Sequence, residues 1–468
     1  MYTIRKEKER TMEINPVIFR EYDIRGTVDV ELSEDFARIL GRAYGTLAKD
    51  HGMNRIGVGH DCRLSSPGYA EALAEGIADE GLDVVISGLG PTPQLYYSVF
   101  VNDLGGGIQV TGSHNPPDMN GFKILLGKQT LSGSDIQDLK ERCEKVQKTP
   151  VARTRGKITS IEIRESYIKS LIENCKLHIG PRKLKVVVDA GNGVGGLVGP
   201  AVLRGLGVEV VELYCDADGS FPNHHPDPTE LKNIQDLIAA VKEHKADFGI
   251  GWDGDADRIG VVDEKGDVVF GDMLLLIYGR AILQEKPGAT IIGDVKCSSQ
   301  LFDDLKSRGA NAIMWKTGHS LIKGKLRETA GDLAGEMSGH IFFKHRYFGF
   351  DDALYASARL VEIMSHQTVR FSELLTGLKP MVSTPEMRVD CPEDIKFKVA
   401  QEAQTAFNEF KVDTIDGVRV TFDRGWGLVR ASNTQPVLVM RFEAEELTLL
   451  EEYRKTVVDR IETIKAAM

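Results

Sequence analysis

Four short strings in this chain carry side chains that do chemistry once a loop presents them. The first is TGSHNPPDMNGFK, from Thr111 to Lys123. Gly112 and the Pro116–Pro117 pair predict a tight, non-helical loop between two strands. Such a loop exposes the Ser113 hydroxyl beside the His114 imidazole, with the Lys123 amine ten residues on. Serine is a weak nucleophile, so covalent work there needs a base or a phosphate that arrives already attached. The second string is DGDADR, from Asp253 to Arg258. Asp253, Asp255 and Asp257 alternate on an extended loop and offer hard oxygen ligands that suit Mg²⁺, with room for phosphate oxygens and water. The plain alternative is a solvated acidic loop, but three carboxylates packed together without a cation repel. A calcium-binding helix–loop–helix is excluded. Glu264 does stand at position 12 counted from Asp253, but position 6 is Arg258 where that loop needs glycine, and the flanks read as strand.

The third string, GEMSGH from Gly335 to His340, gathers Glu336, Ser338 and His340 on one turn. Together they mix donors and acceptors, which is what sugar hydroxyls need. The fourth, RASNTQP from Arg430 to Pro436, joins the Arg430 guanidinium, the Ser432 and Thr434 hydroxyls, the Asn433 amide and loop N–H groups. That is a phosphate cradle. Alone, each of these two reads equally well as a polar turn, and they gain meaning only beside the first two.

The elements that must position these strings repeat. Three strand-like segments run into an Asp and then a loop or helix start: Arg55–Arg63 (RIGVGHDCR), Leu184–Asn192 (LKVVVDAGN) and Thr290–Cys297 (TIIGDVKC). Each is followed by strand, polar loop and strand, at Gly107–Ile124, Phe248–Val262 and Leu333–Phe343. Amphipathic helices are predicted between them. One follows Ser33 as N-cap, with Phe36, Ile39, Leu40, Ala43 and Leu47 on one face. Others are expected at Pro67–Glu80, Leu231–Glu243 and Met273–Gln284. The pattern predicts an α/β protein of three related domains, each presenting one loaded loop. A fourth segment, from about Lys379, ends in a long helix. The expected boundaries are a leader at 1–11 and domains at 12–158, 159–267, 268–378 and 379–468.

Composition agrees with this. The chain has 468 residues, enough for three or four domains. Its 42% hydrophobic and 27% charged content is that of a globular protein. A formal charge of −11 argues against nucleic acid and anionic membrane as partners. No run of 18 apolar residues is present, so no transmembrane helix is expected. The charged stretch Met1 to Arg10 lacks the apolar centre of a signal peptide and reads as a leader. Six scattered cysteines without a CxxC pair suit a reducing cytoplasm.

The four strings, in this order, together with FREYDIRG at Phe19–Gly26, resemble the α-D-phosphohexomutase superfamily over essentially the whole chain after the leader. TGSHNP, GEMSGH and FPNHHPDP (Phe221–Pro228) look most like its bacterial phosphomannomutase/phosphoglucomutase branch. Phosphoglucosamine mutases typically carry Gln where this chain has Met337. The resemblance implies four domains around a central cleft, three α/β and the last a TATA-binding-protein-like α+β domain. It implies a phosphoserine at Ser113 whose phosphate shares Mg²⁺ with Asp253, Asp255 and Asp257. It further implies conversion of hexose 1-phosphate to hexose 6-phosphate through a 1,6-bisphosphate, which also serves as activator. Arg25, Arg258 and His114 are then the cations of transfer, and Lys123 the general acid or base. Tyr22, Lys296 and His319 are implied as further substrate contacts, with Glu336, Ser338 and His340 on the sugar. Arg430, Ser432, Asn433 and Thr434 would hold the phosphate that is not reacting. The partners are small hexose phosphates. Rival readings are a phosphoglucosamine mutase, an aspartyl-phosphate phosphotransferase and a non-catalytic sugar-phosphate binder.

Overall fold

A computed structural model describes residues 12–432 and 436–468. The leader, Asn433 and Thr434 therefore lie outside the described residues. The chain divides into two compact units. One runs to Tyr167 and takes back Asn192–Val194 and Asp216–His225; the other takes Ile168–Gly191, Gly195–Cys215 and Pro226–Met468.

In the first unit the strands are β1 (Ile24–Thr27), β2 (Arg55–His60), β3 (Asp83–Leu89), β4 (Gly106–Val110), β5 (Met119–Leu126), β6 (Gln129–Thr130) and β7 (Ile158–Ser160). They pair in the order β1-β5-β4-β2-β3-β7, with β6 on β5. The second unit holds β8 (Lys185–Asp189), β9 (Glu209–Leu213), β10 (Phe248–Trp252), β11 (Ile259–Asp263) and β12 (Val268–Val269) in the order β12-β11-β10-β8-β9. A further sheet pairs β13 (Thr290–Asp294), β14 (Asn311–Trp315), β15 (Leu333–Gly335) and β16 (Ile341–Phe343) in the order β14-β13-β15-β16.

One plan underlies all three sheets. Three parallel strands are followed by an antiparallel strand added through a hairpin: β3-β2-β4-β5, β9-β8-β10-β11 and β14-β13-β15-β16. The central strands β4 and β10 are buried along their whole length, as strands covered on both faces by helices must be. TGSHNP, DGDADR and GEMSGH each occupy the hairpin connection of one sheet. The repeat expected from the sequence is therefore real, and it places the three loops at equivalent points.

The helix Glu34–Asp50 starts where its cap predicts, with the Ser33 hydroxyl accepting from the Phe36 N–H. Its apolar stripe, including Phe36, Leu40 and Tyr44, shares one core with Leu73 and Ile77 of the helix Ser66–Asp79 and with Val58, Ile108 and Phe122 of the sheet. The two helices meet through small residues. A Cβ on Gly41 would lie 2.2 Å from Leu73 O, and one on Gly76 would lie 2.1 Å from Arg38 O. The helix expected at Leu231–Glu243 is broken into a 3-10 turn, Leu231–Asn233, and a helix, Gln235–Glu243. The Asn233 side chain donates to Asp227 O and holds that turn apart from the helix.

The C-terminal part is α+β. Strands β17 (Val382–Ser383), β18 (Met387–Asp390), β19 (Lys411–Asp413), β20 (Val418–Phe422), β21 (Gly425–Ala431) and β22 (Val437–Ala444) form an antiparallel sheet. The helices Lys396–Ala406 and Leu447–Ala466 pack on it through Val399, Ala403, Val457 and Ile461. Among the described residues no helix is long and apolar enough to cross a membrane. All six cysteines are free thiols.

Candidate active site

In the first unit the β4–β5 hairpin holds Ser113 at φ 50°, a left-handed conformation that L-residues rarely adopt. Its Oγ lies 3.0 Å from His114 Nδ1. The hydroxyl is not exposed as the turn chemistry suggests, since Ser113 is only 1% accessible. The loop is drawn down onto its sheet. The Ser113 N–H donates to Thr111 Oγ1 (2.8 Å), and the Thr111 hydroxyl donates to Asp61 Oδ2 (2.7 Å). Lys123, on β5, is buried and registers with Gln109 of β4. Arg25, on β1, registers with Gly121, two residues from Lys123, so both cations project from one face of the sheet. Arg25 Nε donates to Asp23 Oδ2 at 2.6 Å. Tyr22 stands half-buried just before β1. Cys62, just after β2, is no rival nucleophile, because burial pushes its thiol up to about 12.

In the second unit the β10–β11 hairpin folds Asp253–Arg258 into a compact loop. Asp253 Oδ1 accepts the N–H groups of Asp257 (3.1 Å) and Arg258 (3.0 Å). Asp253, Asp255 and Asp257 are each 0% exposed, and one oxygen of each lies within 4.8 Å of the others. Three buried carboxylates converging on one point fit a hard divalent cation and little else. Glu264, the would-be calcium ligand, instead accepts from Ser372 Oγ at 2.6 Å.

The metal loop and the GEMSGH turn of this unit meet. Arg258 bridges to His340 through the backbone, and Arg258 Nε donates to His340 Nε2 at 3.0 Å. The ring proton therefore sits on Nδ1, facing Asp351 Oδ2 (3.3 Å) and Asp257 Oδ1 (3.5 Å). His319, at the start of the helix His319–Glu328, stacks on His340 with ring centroids 5.7 Å apart. Burial works against the charge of Arg258, but Asp227, Asp253, Asp257 and Glu336 outweigh it and raise its pKa. Burial raises Glu336, whose Oε1 accepts the Gly318 N–H at 2.7 Å. Ser338 is half-buried on the same turn.

Lys296 follows β13, and its loop is held from the C-terminal sheet. Arg419 Nη1 donates to Val295 O (2.6 Å) and Cys297 O (2.8 Å). Lys296 Nζ donates to Glu386 Oε2 at 3.0 Å. Burial would lower its pKa, but Glu386, Asp294 and Glu336 overcome this and raise it, so Lys296 is a fixed cation. Arg430, on β21, donates from Nε to Asp416 Oδ2 at 2.9 Å. Ser432 follows it, buried, with its N–H on Val437 O.

The second unit thus brings Asp253, Asp255, Asp257, Arg258, His319, Glu336 and His340 together as the motifs suggest. Sequence reasoning passed over the carboxylates that partner the site's cations and histidines. Asp351 accepts from Lys323 Nζ at 2.9 Å, and the half-buried Glu386 and Asp416 are counter-ions of Lys296 and Arg430. Asp61 and Arg63 lay in plain view at the end of the first strand segment, where an acid and a base follow a buried strand.

Comparison with known proteins decides the family. The chain matches the family models for phosphoglucomutase/phosphomannomutase α/β/α domain I (residues 16–150), domain II (165–266), domain III (270–381) and the C-terminal domain (386–460). It is 46% identical over 450 residues to the phosphomannomutase/phosphoglucomutase of Pseudomonas putida, covering 95% of this chain and 96% of that one. The chain belongs to the phosphoglucomutase/phosphomannomutase family. A phosphoglucomutase of Neisseria meningitidis is 46% identical over 439 residues, covering 93% and 94% of the two chains. A solved phosphoglucomutase/phosphomannomutase family protein of Burkholderia thailandensis superposes with a TM-score of 0.90 at 41% identity, covering 97% of this chain and 98% of that one. Membership makes the chain a metal-dependent hexose-phosphate mutase, an isomerase that works by intramolecular phosphotransfer. The phosphoglucosamine mutase reading is not favoured.

Proposed function

We propose that this mutase interconverts the 1- and 6-phosphates of mannose and glucose through a phosphoserine at Ser113 and a hexose 1,6-bisphosphate, in the cytoplasm. Its proposed domains are those expected at 12–158, 159–267, 268–378 and 379–468. The observation that carries the reading is the Ser113 loop, where a serine is held left-handed with its Oγ 3.0 Å from an imidazole.

In the first half-reaction the bond between phosphorus and Ser113 Oγ breaks as one forms to the free sugar hydroxyl. Lys123, neutral at that stage, takes the hydroxyl proton, and the released Ser113 Oγ gains one to end as a hydroxyl, so that no net proton is consumed. The second half-reaction reverses these moves at the other end of the sugar. Arg25, Arg258 and His114 neutralise the oxygens of the moving phosphoryl group. Glu336, Ser338 and His340 bind sugar hydroxyls shared by glucose and mannose, and His319, Tyr22 and Lys296 complete the substrate contacts. The Arg258 hydrogen bond leaves His340 able to donate only from Nδ1. Arg430 and Ser432, with Asn433 and Thr434, grip the non-reacting phosphate. Asp253, Asp255 and Asp257 would hold a magnesium ion, which when bound supplies charge neutralisation to the transferring group.

Peptide mapping of enzyme treated with glucose 1,6-bisphosphate tests this directly. A single phosphate on Ser113, resistant to hydroxylamine, is expected. A hydroxylamine-labile phosphate on Asp253, Asp255 or Asp257 would instead make the chain an aspartyl-phosphate phosphotransferase.

A further inference from the structure

Arg63 follows β2, is 0% exposed, and spends its guanidinium on the backbone of the Ser113 loop. Nη2 donates to Ser113 O (2.8 Å) and Asn115 O (2.6 Å), and Nη1 to Pro116 O (2.6 Å) and Met119 O (2.9 Å). Nε faces Asp61 Oδ2 at 3.3 Å. Four carbonyls within seven residues therefore converge on one cation. Only a flat fork with five N–H donors can serve them together; a lysine ammonium has three. The Phe221 ring lies 5.1 Å from the guanidinium.

Asp61 completes the frame. Its Oδ1 accepts the Arg63 N–H (2.9 Å) and the Ser66 hydroxyl (2.5 Å); its Oδ2 accepts the Thr111 hydroxyl and the Gly112 N–H (3.3 Å). Thr111 Oγ1 in turn accepts the Ser113 N–H. Both backbone groups of Ser113 are thereby pinned, its carbonyl by Arg63 and its N–H by Asp61 through Thr111. Gly112 admits the guanidinium, since a Cβ there would lie 2.5 Å from Arg63 Cζ.

We infer that Arg63 is a positioning residue for phosphoryl transfer, one that holds the strained Ser113 backbone so that Oγ points in a single direction. It acts through the main chain and touches no substrate. Buried carbonyls without donors would force this loop to rearrange, and a shift of about 1 Å at a reacting atom costs on the order of 100-fold in rate. The inference rests on Ser113 being the phosphate carrier.

The test uses full-length wild type, Arg63→Lys and Thr111→Val. Three quantities are measured: the rate of phosphate transfer from glucose 1,6-bisphosphate to Ser113 by intact mass, the Kd of glucose 1-phosphate, and the thermal unfolding midpoint. Arg63→Lys should transfer about 100-fold more slowly with its Kd within about twofold of wild type. Thr111→Val, which removes one anchor, should slow transfer about tenfold. A folded Arg63→Lys enzyme that transfers within threefold of wild type overturns the inference, as does an equal loss of rate and affinity. If Arg63→Lys does not fold, Thr111→Val decides, and a wild-type transfer rate there overturns the inference. Wild-type phosphate mapping away from Ser113 sinks the reading of the site itself. Phosphate on Ser113 with unimpaired variants sinks only the role of Arg63.

Discussion

The Ser113 loop and the Asp253 loop are the same hairpin in two related sheets, and they are held in opposite senses. In the first, backbone carbonyls turn inward onto the Arg63 guanidinium. In the second, the N–H groups of Asp257 and Arg258 turn inward onto the Asp253 carboxylate. Each loop is thus braced by a buried charge, a cation reaching in from the end of β2 in the first and a carboxylate of its own in the second. The first is suited to carry an anionic phosphate, the second to collect carboxylates around a cation. A shared topology supplies the place, and the sign of the buried charge sets the chemistry.

The largest effect expected from breaking this contrast is at the first loop. Ser113→Ala should lower kcat by about 10⁴-fold or more, the scale seen when a covalent nucleophile is deleted. Calorimetry should still show glucose 1-phosphate binding, because the contacts proposed for the phosphate and the sugar lie on other loops. Loss of binding in step with activity would contradict the role given to Ser113.

At the second loop, Asp255→Asn keeps the shape and removes one charge. Turnover should fall roughly 10²–10³-fold, as when one electrostatic stabiliser of a transition state is lost. EDTA should reproduce the loss in wild type, and Mg²⁺ should restore wild type fully. An EDTA-treated enzyme of full activity would leave the carboxylates without a catalytic cation.

A smaller effect is expected at β21, where the charge of Arg430 is balanced by Asp416. Arg430→Ala should weaken either monophosphate by 10- to 150-fold, since charge-assisted hydrogen bonds contribute about 1.5–3 kcal/mol each. It should also raise the bisphosphate needed to keep Ser113 phosphorylated, because the intermediate escapes more often. Steady-state kinetics at several bisphosphate concentrations measure both.

The smallest effect concerns a carboxylate that supports a cation. Lys296 draws Glu386 from its ordinary 4.5 to about 2. A depressed carboxyl stabilises the fold above its unfolded value and loses that contribution as pH falls toward the folded one. Wild type should therefore exceed Glu386→Gln in unfolding midpoint at pH 5, with the gap closing between pH 4.5 and 2. A gap independent of pH would mean that the Lys296 pair contributes nothing through charge.

Much of this protein is written locally. The Ser33 cap, the apolar stripe of Phe36 and Leu40, the strand–Asp segments and the loaded turns are short-range patterns, and the elements follow them closely. Alternate aspartates at 253, 255 and 257 already mark a cluster that could hold a cation, because a hairpin of six residues cannot keep them far apart. What tertiary structure alone decided is how each loop is held. Arg63 and Ser113 are separated by 50 residues, and an arginine's fate as surface charge or buried fork depends on which carbonyls the finished sheet turns toward it. The same holds for the buried Asp351 beneath His340 and the half-buried Glu386 beside Lys296, where packing turns a surface-type side chain into a partner that fixes a proton or a charge. Local sequence specifies the candidate reactive groups; long-range closure of the sheets specifies the charges that hold them, since only closure removes the water that would otherwise screen those charges.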